Sequence, residues 1–455
     1  MTRATSGDEG DDGAIDLALT IEEGALHPRL LWLVGLLTLA LVVDGCDVVM
    51  VGFLAPAIVR DFGVSPLALG WLLSIGQAGL IVGGIVGGLL ADRAGRRPAL
   101  LGSIMLFALG SVASALAPGY AGFAAARLFA GLGLGSAAPA VASYLAEVLP
   151  RRRIGQLSVL AFTANLLGGT ICALAGSFVV PAAGWRAMLW IGGALPLAGV
   201  LPPMLALLPE SPRFLARQGR PAEAVAAALD RFGIAHGWRS GTRFALVAAA
   251  SGQGRLRDIL APEWRRDTIV LWLMSVSLMF TSVGLISLGA LLLTSLGTPP
   301  ADAIRTMSFY SFAGLTGAFA AVAGVSRIGS RGTLAALLGI AAAGMAALIG
   351  ITLAGMAGNA WLAAIAMFVV GFGLNGSLIV LFPLVASFYP TEFRSAGSGA
   401  AIGVGRTGST TSLVLLAAIL GAAGPLATLA VTLGMTGVTI ATVIAFRGHS
   451  RPVGP

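Results

Sequence analysis

Apolar positions in this chain do not follow helical or strand spacing; they come in long blocks, with the polar residues gathered between them. A helix needs ~20 largely apolar residues to cross a ~30 Å hydrocarbon core. On that measure spans fall at 30–58, 68–91, 98–117, 119–144, 157–180 and 188–208. After a polar stretch they resume at 268–295, 307–325, 333–355, 359–386, 396–418 and 422–446. The third and fourth are divided only by Ala117-Pro118-Gly119-Tyr120. The pattern predicts an all-α membrane protein with twelve transmembrane helices.

The chain also repeats itself. Gly131-Leu132-Gly133-Leu134 in the fourth span is echoed 240 residues later by Gly371-Phe372-Gly373-Leu374 in the tenth, and Pro150 by Pro390 at the same offset. Arg93-Ala94-Gly95 after the second span returns as Arg327-Ile328-Gly329, 234 residues on. Duplication of a six-helix unit is therefore expected, with two halves, 29–208 and 268–446, related by pseudo-two-fold symmetry. A polar connection, 209–267, joins them, and its segment 221–232 has the pattern of a short interfacial helix. Gly79, Gly83 and Gly87 on the second span, and Gly399 and Gly403 on the eleventh, recur every fourth residue. Such stripes let helices approach closely. They serve either packing alone or a sliding contact between moving halves.

Composition sharpens the picture. Charged residues make up only 11% of the chain and hydrophobic ones 57%, whereas soluble domains carry roughly 25% charge. Lipid must solvate most of the exterior. All 28 basic residues are arginine, which excludes a lysine Schiff base. The net charge of +8 follows topology and does not call for nucleic acid. With both termini placed in the cytoplasm, Arg93, Arg96, Arg97, Arg151 to Arg153, Arg327 and Arg331 lie inside, and only Arg60, Arg186 and Arg305 lie outside. Residues 1–28 carry Asp8, Glu9, Asp11, Asp12, Asp16, Glu22 and Glu23 and lack the basic start of a secretory signal; they read as a disordered acidic cytoplasmic tail. Residues 447–455 form a second cytoplasmic tail. Cys46 and Cys172 both sit in apolar runs, so no disulfide framework is implied. His27, His236 and His449 lie outside the spans, so no metal centre, cofactor or membrane-embedded enzyme site is expected.

The informative residues are those that stay charged inside lipid, where charge is costly and marks a pathway. Asp44 sits about 21 Å along the first span at 1.5 Å per residue, near the membrane middle. Asp47 follows one turn later on broadly the same face. Two carboxylates in low dielectric cannot both ionise cheaply, which suits one of them to carry a proton. The alternative is that an aspartate only pairs with Arg127 of the fourth span. Arg127 has Met367 at the repeat offset, so its charge belongs to the N-terminal half alone, an asymmetry that favours a part in proton coupling over generic packing. Arg406 in the eleventh span has no acid within its own span; either a bidentate substrate carboxylate meets it, or an acid from another helix does. Gln77, Asn165 and Asn375 are polar candidates for substrate contact or helix bridging, and Phe162, Phe280 and Phe382 for ring stacking or packing. Glu147, beside Arg151 to Arg153, reads as a pairing or gating group.

These motifs resemble the major facilitator superfamily over nearly the whole chain. Gly87-Gly88-Leu89-Leu90-Ala91-Asp92-Arg93-Ala94-Gly95-Arg96-Arg97 resembles its signature loop. Arg127 with Gly131, Gly133 and Gly135 is similar to its fourth-span motif, and Pro209-Glu210-Ser211-Pro212-Arg213 resembles the end of the sixth span in sugar-porter-like branches. More narrowly, Asp44-Gly45-Cys46-Asp47 with Gly52-Phe53-Leu54-Ala55-Pro56 resembles the first-span signature of the aromatic acid:H+ symporter family. Tyr389-Pro390-Thr391-Glu392-Phe393-Arg394 and Gly403-Val404-Gly405-Arg406-Thr407-Gly408 match that family's pattern too.

The resemblance implies a monomeric inner-membrane carrier that imports a small organic anion, such as benzoate or 4-hydroxybenzoate, with protons. It implies coupling at Asp44 and Asp47, gating by Asp92, Arg93, Arg96, Arg97, Glu392 and Arg394, and a need for Arg406. The fifth span reads Asn165-Leu166-Leu167-Gly168-Gly169 where antiporters usually carry Gly-Pro, which favours uptake. Three positions depart from the pattern: Cys46 replaces an aromatic residue, the seventh span has Leu285 to Ala290 where Trp-Leu-Pro is common, and Ser326 stands where the second signature loop expects aspartate. A carrier for a sugar, a non-aromatic acid or an exported drug is the alternative function, and a membrane sensor without transport a remoter one.

Overall fold

The computed structural model describes residues 15–22, 27–150, 152–234, 244–245, 259–356, 358–389 and 394–449. Among them, ten helices are long and apolar enough to cross a membrane. Two of the ten are broken. Helix Pro300–Leu353 turns at Gly329 (φ 72°, ψ 173°) and Arg394–Ala445 at Gly424 (φ 83°, ψ 179°), so twelve spans result. A positive φ with extended ψ is open essentially to glycine alone, so these two positions set the turns. The first five spans are Pro28–Phe62, Pro66–Ala94, Arg96–Leu116, Tyr120–Val148 and Ile154–Ala183. The sixth is Trp185–Leu195, a π-helical turn Pro196–Val200 and Leu201–Leu207. Pro262–Ser295 is the seventh and Ala360–Phe388 the tenth. The eleventh runs past the expected end at 418, because the stop is Gly424 followed by Pro425 and not a change in hydropathy.

The duplication shows in the backbone. Turn glycines with positive φ pair across the halves: Gly63 with Gly297, Gly95 with Gly329, and Gly184 with Gly424. The fourth-span motif pairs as well. A Cβ on Gly131 would meet the backbone of Gly76 in the second span, and one on Gly133 the backbone of Phe107 in the third. Gly371 and Gly373 of the tenth span stand the same way against Tyr310 of the eighth and Leu337 of the ninth.

The glycine stripe of the second span serves packing within one half. Gly79, Gly83 and Gly87 lie against Leu128, Leu132 and Ser136 of the fourth span, so of the two alternatives packing within one half is the one found there. The halves meet at other glycines. Gly52 lies against Ser287 of the seventh span and Gly70 against Leu413 and Ala417 of the eleventh, while Ser74 Oγ donates to Thr410 O at 3.1 Å. These contacts sit toward the end that carries Arg60, Asp61 and Arg186. Toward the opposite, arginine-rich end nothing among the described residues lies within 4 Å of a Cβ placed on Gly399 or Gly403.

A second correction concerns the N-terminal tail, expected to be disordered over 1–28. Ile15–Asp16 pairs in parallel with Phe244–Ala245, and Leu17–Glu22 forms a helix. Leu17 and Ile21 are buried in a cluster with Val225 and Leu229 of the amphipathic helix Ala222–Phe232, and Arg213 pairs with Glu22 at 3.3 Å. Two apolar residues one turn apart outweigh the surrounding acids, because a prepared apolar face awaits them.

Candidate functional site

The first span carries its two carboxylates into different surroundings. Asp47 faces the third and fourth spans and is fully buried. Arg127 reaches it with Nη2 at 2.7 Å from Oδ2 and Nη1 at 3.5 Å from Oδ1. Ser111 Oγ donates to Asp47 Oδ1 and accepts from Arg127 Nη1 at 3.2 Å. The two charges neutralise each other and tie spans one, three and four. For Asp47, the sequence alternative of a structural ion pair is what the geometry contains.

Asp44 faces the fifth span. Gly45 and Gly168 bring the first and fifth backbones close, and Asn165 Nδ2 donates to Asp44 Oδ2 at 2.9 Å and to Leu41 O at 3.3 Å. Asp44 Oδ1 is buried and has no hydrogen-bond partner among the described residues. Its charged neighbours are Asp47 and, from the other half, Arg406. Arg406 is half-buried, pairs with no carboxylate within 4.0 Å among the described residues, and donates from Nη1 to Leu80 O of the second span at 3.4 Å. An acid and a base near the middle of opposite halves thus face each other without a closed ion pair.

Beside them lies a small cavity of about 50 Å³ between spans one, two, four, seven and eleven. Gln77, Arg127 and Ser287 give it polar walls, and Val51, Leu80 and Leu413 apolar ones. Other candidates lie elsewhere. Asn375 bonds Gly371 O at 3.1 Å and packs on Gly314 within the C-terminal half. Phe280 is a core side chain, and Phe382 is exposed and lines no part of this cavity. The side chains of Phe162 and Arg394, and all of Glu392, lie outside the described residues.

The match to a family model named Major Facilitator Superfamily runs over residues 37–412. The chain belongs to the major facilitator superfamily. It is a multi-pass membrane transporter and not an enzyme. A gallate transporter of Pseudomonas putida is 32% identical over 425 residues, 92% of each chain. A 3-(3-hydroxy-phenyl)propionate transporter of Escherichia coli is 28% identical over 93% of this chain and 96% of its own. The partially occluded inward-open structure of the xylose transporter XylE from E. coli has the same fold at a TM-score of 0.73 and 17% identity, over 93% of this chain and 99% of that one.

In this facilitator the signature loop is built around Arg96. Its guanidinium pairs with Asp92 at 3.0 Å and Glu147 at 2.9 Å and donates to Ala91 O at 2.6 Å. Arg97 donates to Leu205 O at 2.7 Å, while Arg93 is exposed and its carbonyl accepts from Gln218 at 3.2 Å. Glu210 joins them: its carboxylate accepts from the backbone N–H groups of Arg96 at 3.0 Å, Arg97 at 3.3 Å and Ser211 at 2.8 Å, capping a third span whose own N-cap is glycine. Glu210 was visible only as part of Pro209-Glu210-Ser211-Pro212-Arg213, with nothing in its spacing to tie it to residues over a hundred positions away. Ser111 gave no signal either, because a serine in an apolar span ordinarily bonds its own helix.

Proposed function

We propose that this protein imports a small aromatic carboxylate together with protons, by alternating access in the inner membrane, with both termini in the cytoplasm. The observation that carries this reading is the unpartnered Oδ1 of Asp44, buried at mid-span opposite the open guanidinium of Arg406. A carboxylate so placed holds a proton without disturbing any ion pair. A guanidinium so placed offers two parallel donors to a substrate carboxylate. When the anion occupies Arg406, Asp44 loses a nearby counter-charge, and protonation removes the resulting repulsion. Anion and proton thereby favour each other's binding, which is the requirement for symport. Asp47 and Arg127 cancel one another and hold the first span in place, and the Arg96 cluster with Glu147 and Glu210 governs opening at the arginine-rich end. The two relatives named for gallate and 3-(3-hydroxy-phenyl)propionate support the aromatic acid class and membership of the aromatic acid:H+ symporter family.

The test is uptake of labelled gallate, benzoate and 4-hydroxybenzoate into proteoliposomes under an imposed inward proton gradient. Accumulation should follow the gradient for at least one of these acids. In Asp44→Asn accumulation should vanish while exchange of internal for external substrate persists. Accumulation indifferent to the gradient, or unchanged in Asp44→Asn, overturns the mechanism.

A further inference from the structure

A second hollow lies on the outside of the bundle, where the first and sixth spans come together at the arginine-rich end. Its volume is about 880 Å³. The sequence explains why it is there. Gly35 on the first span and Gly199 on the sixth contribute no side chains, and a Cβ at Gly35 would meet nothing within 4 Å. Across from Gly35 the sixth span is not a regular helix: the π-helical turn Pro196–Val200 is followed by Pro202 and Pro203, which cannot donate to the preceding turn. The widened helix and the missing side chains leave a groove whose walls are apolar apart from its mouth.

The mouth is charged. Arg29, in the first turn of the first span, and Arg231, on the helix Ala222–Phe232, both line the groove and are both exposed. Arg29 Nη1 donates to Asp230 O at 3.3 Å, and neither guanidinium pairs with a carboxylate within 4.0 Å among the described residues. Trp32, 81% exposed, stands on the same wall one turn deeper. An exposed tryptophan one turn inside a pair of arginines marks the level where hydrocarbon meets headgroups. We infer that this groove is a specific site for an anionic phospholipid, with one acyl chain lying between Gly35 and Gly199 and the phosphate held by Arg29 and Arg231. Charge complementarity selects this occupant. The groove opens to lipid, its walls match an acyl chain, and two guanidiniums at headgroup level, without a carboxylate partner among the described residues, favour anionic over zwitterionic lipid. The inference stands apart from the transport reading, since it concerns binding at a surface that neither Asp44 nor Arg406 reaches.

Native mass spectrometry of the purified full-length protein in micelles holding equal phosphatidylglycerol and phosphatidylcholine tests it. The wild type should retain phosphatidylglycerol with roughly tenfold or greater preference, from two guanidiniums acting together. Arg29→Gln with Arg231→Gln should bring the two lipids near parity. Gly35→Leu should lose the bound lipid although both arginines remain. Arg305→Gln, at the other end of the bundle, should keep the wild-type preference, and inorganic phosphate alone should leave the melting temperature unchanged. Equal retention of both lipids by the wild type overturns the proposal. So does a preference that survives in the double variant, or one that Arg305→Gln abolishes equally. Gly35→Leu and the double variant damage the site by unrelated means, so normal melting of either one is enough to decide between these outcomes.

Discussion

The Asp47–Arg127 pair is buried, where removing one partner strands a charge. Arg127→Met copies the residue at the equivalent place in the second half, yet it should destabilise the protein by about 3–5 kcal/mol, because Asp47 is left buried with only Ser111 to answer it. Adding Asp47→Leu should recover most of that loss, measured as melting temperature in detergent. Recovery would show that the pair holds the helices together and that its charges are not needed for folding. Arg406→Lys tests the other guanidinium. A point charge on a flexible stem cannot offer two parallel donors, so affinity for the transported acid should fall by about tenfold or more while the protein folds normally. Depth and charge of these residues were legible in the sequence, since a charge in an apolar run announces itself. Which aspartate would meet Arg127 was not, because both lie on one face and the choice depends on where the third and fifth spans approach.

Helix approach decides the behaviour of the elements. Gly83→Leu would drive a side chain into the backbone of Leu132, and the second and fourth spans should separate, seen as loss of folded material on size exclusion. Gly399→Ala and Gly403→Ala, with open space beside them, should be recovered in wild-type yield. Periodicity alone gave both stripes the same weight; only the packing partner distinguishes them. Past the last span, His449 is pinned by Ser330 Oγ at 3.1 Å and Val443 O at 2.8 Å. Burial pushes its imidazole below the ordinary histidine range; the Val443 carbonyl opposes that shift and Arg331 adds to it. Since the folded state disfavours the proton, this contact is intact above the ordinary histidine pKa of about 6.5 and weakens as pH falls below it. Hydrogen exchange at residues 446–449 should therefore quicken, relative to the span before it, between about pH 7 and pH 5. A rate ratio flat across that range counts against the contact.

The whole molecule consists of two matching halves that touch toward one end. Hydropathy and the 234- and 240-residue echoes were enough to count twelve spans and divide them six and six. The turn at Gly329 falls in the expected polar break between 325 and 333, whereas that at Gly424 was harder to place, because apolar composition continues through it. The ordered tail at Ile15–Glu22 was hidden because its partner helix lies some two hundred residues away. The touching end makes a direct prediction. A Cβ on Gly421 would lie 3.8 Å from Cβ of Pro66, a separation a disulfide spans, so Pro66→Cys with Gly421→Cys, in a background with Cys46→Ser and Cys172→Ser, should cross-link on oxidation. The cross-link should stop uptake, and reduction should restore it. Uptake by the fully cross-linked carrier would mean that this contact does not open during the cycle.

The self-neutralised pair of Asp47 and Arg127 has a consequence for energetics. With those two charges cancelled, only Asp44 and Arg406 among the described residues remain near the middle of the spans, and their sum is also zero. Under the proposed cycle the empty carrier then resets without moving charge across the membrane, and one carboxylate accompanied by one proton adds none. Each further proton would couple the carrier to the electrical potential by about 2.3 kcal/mol per 100 mV. A potassium diffusion potential imposed at constant pH therefore reads the number of protons directly: indifference to voltage means one, and acceleration by an inside-negative potential means more.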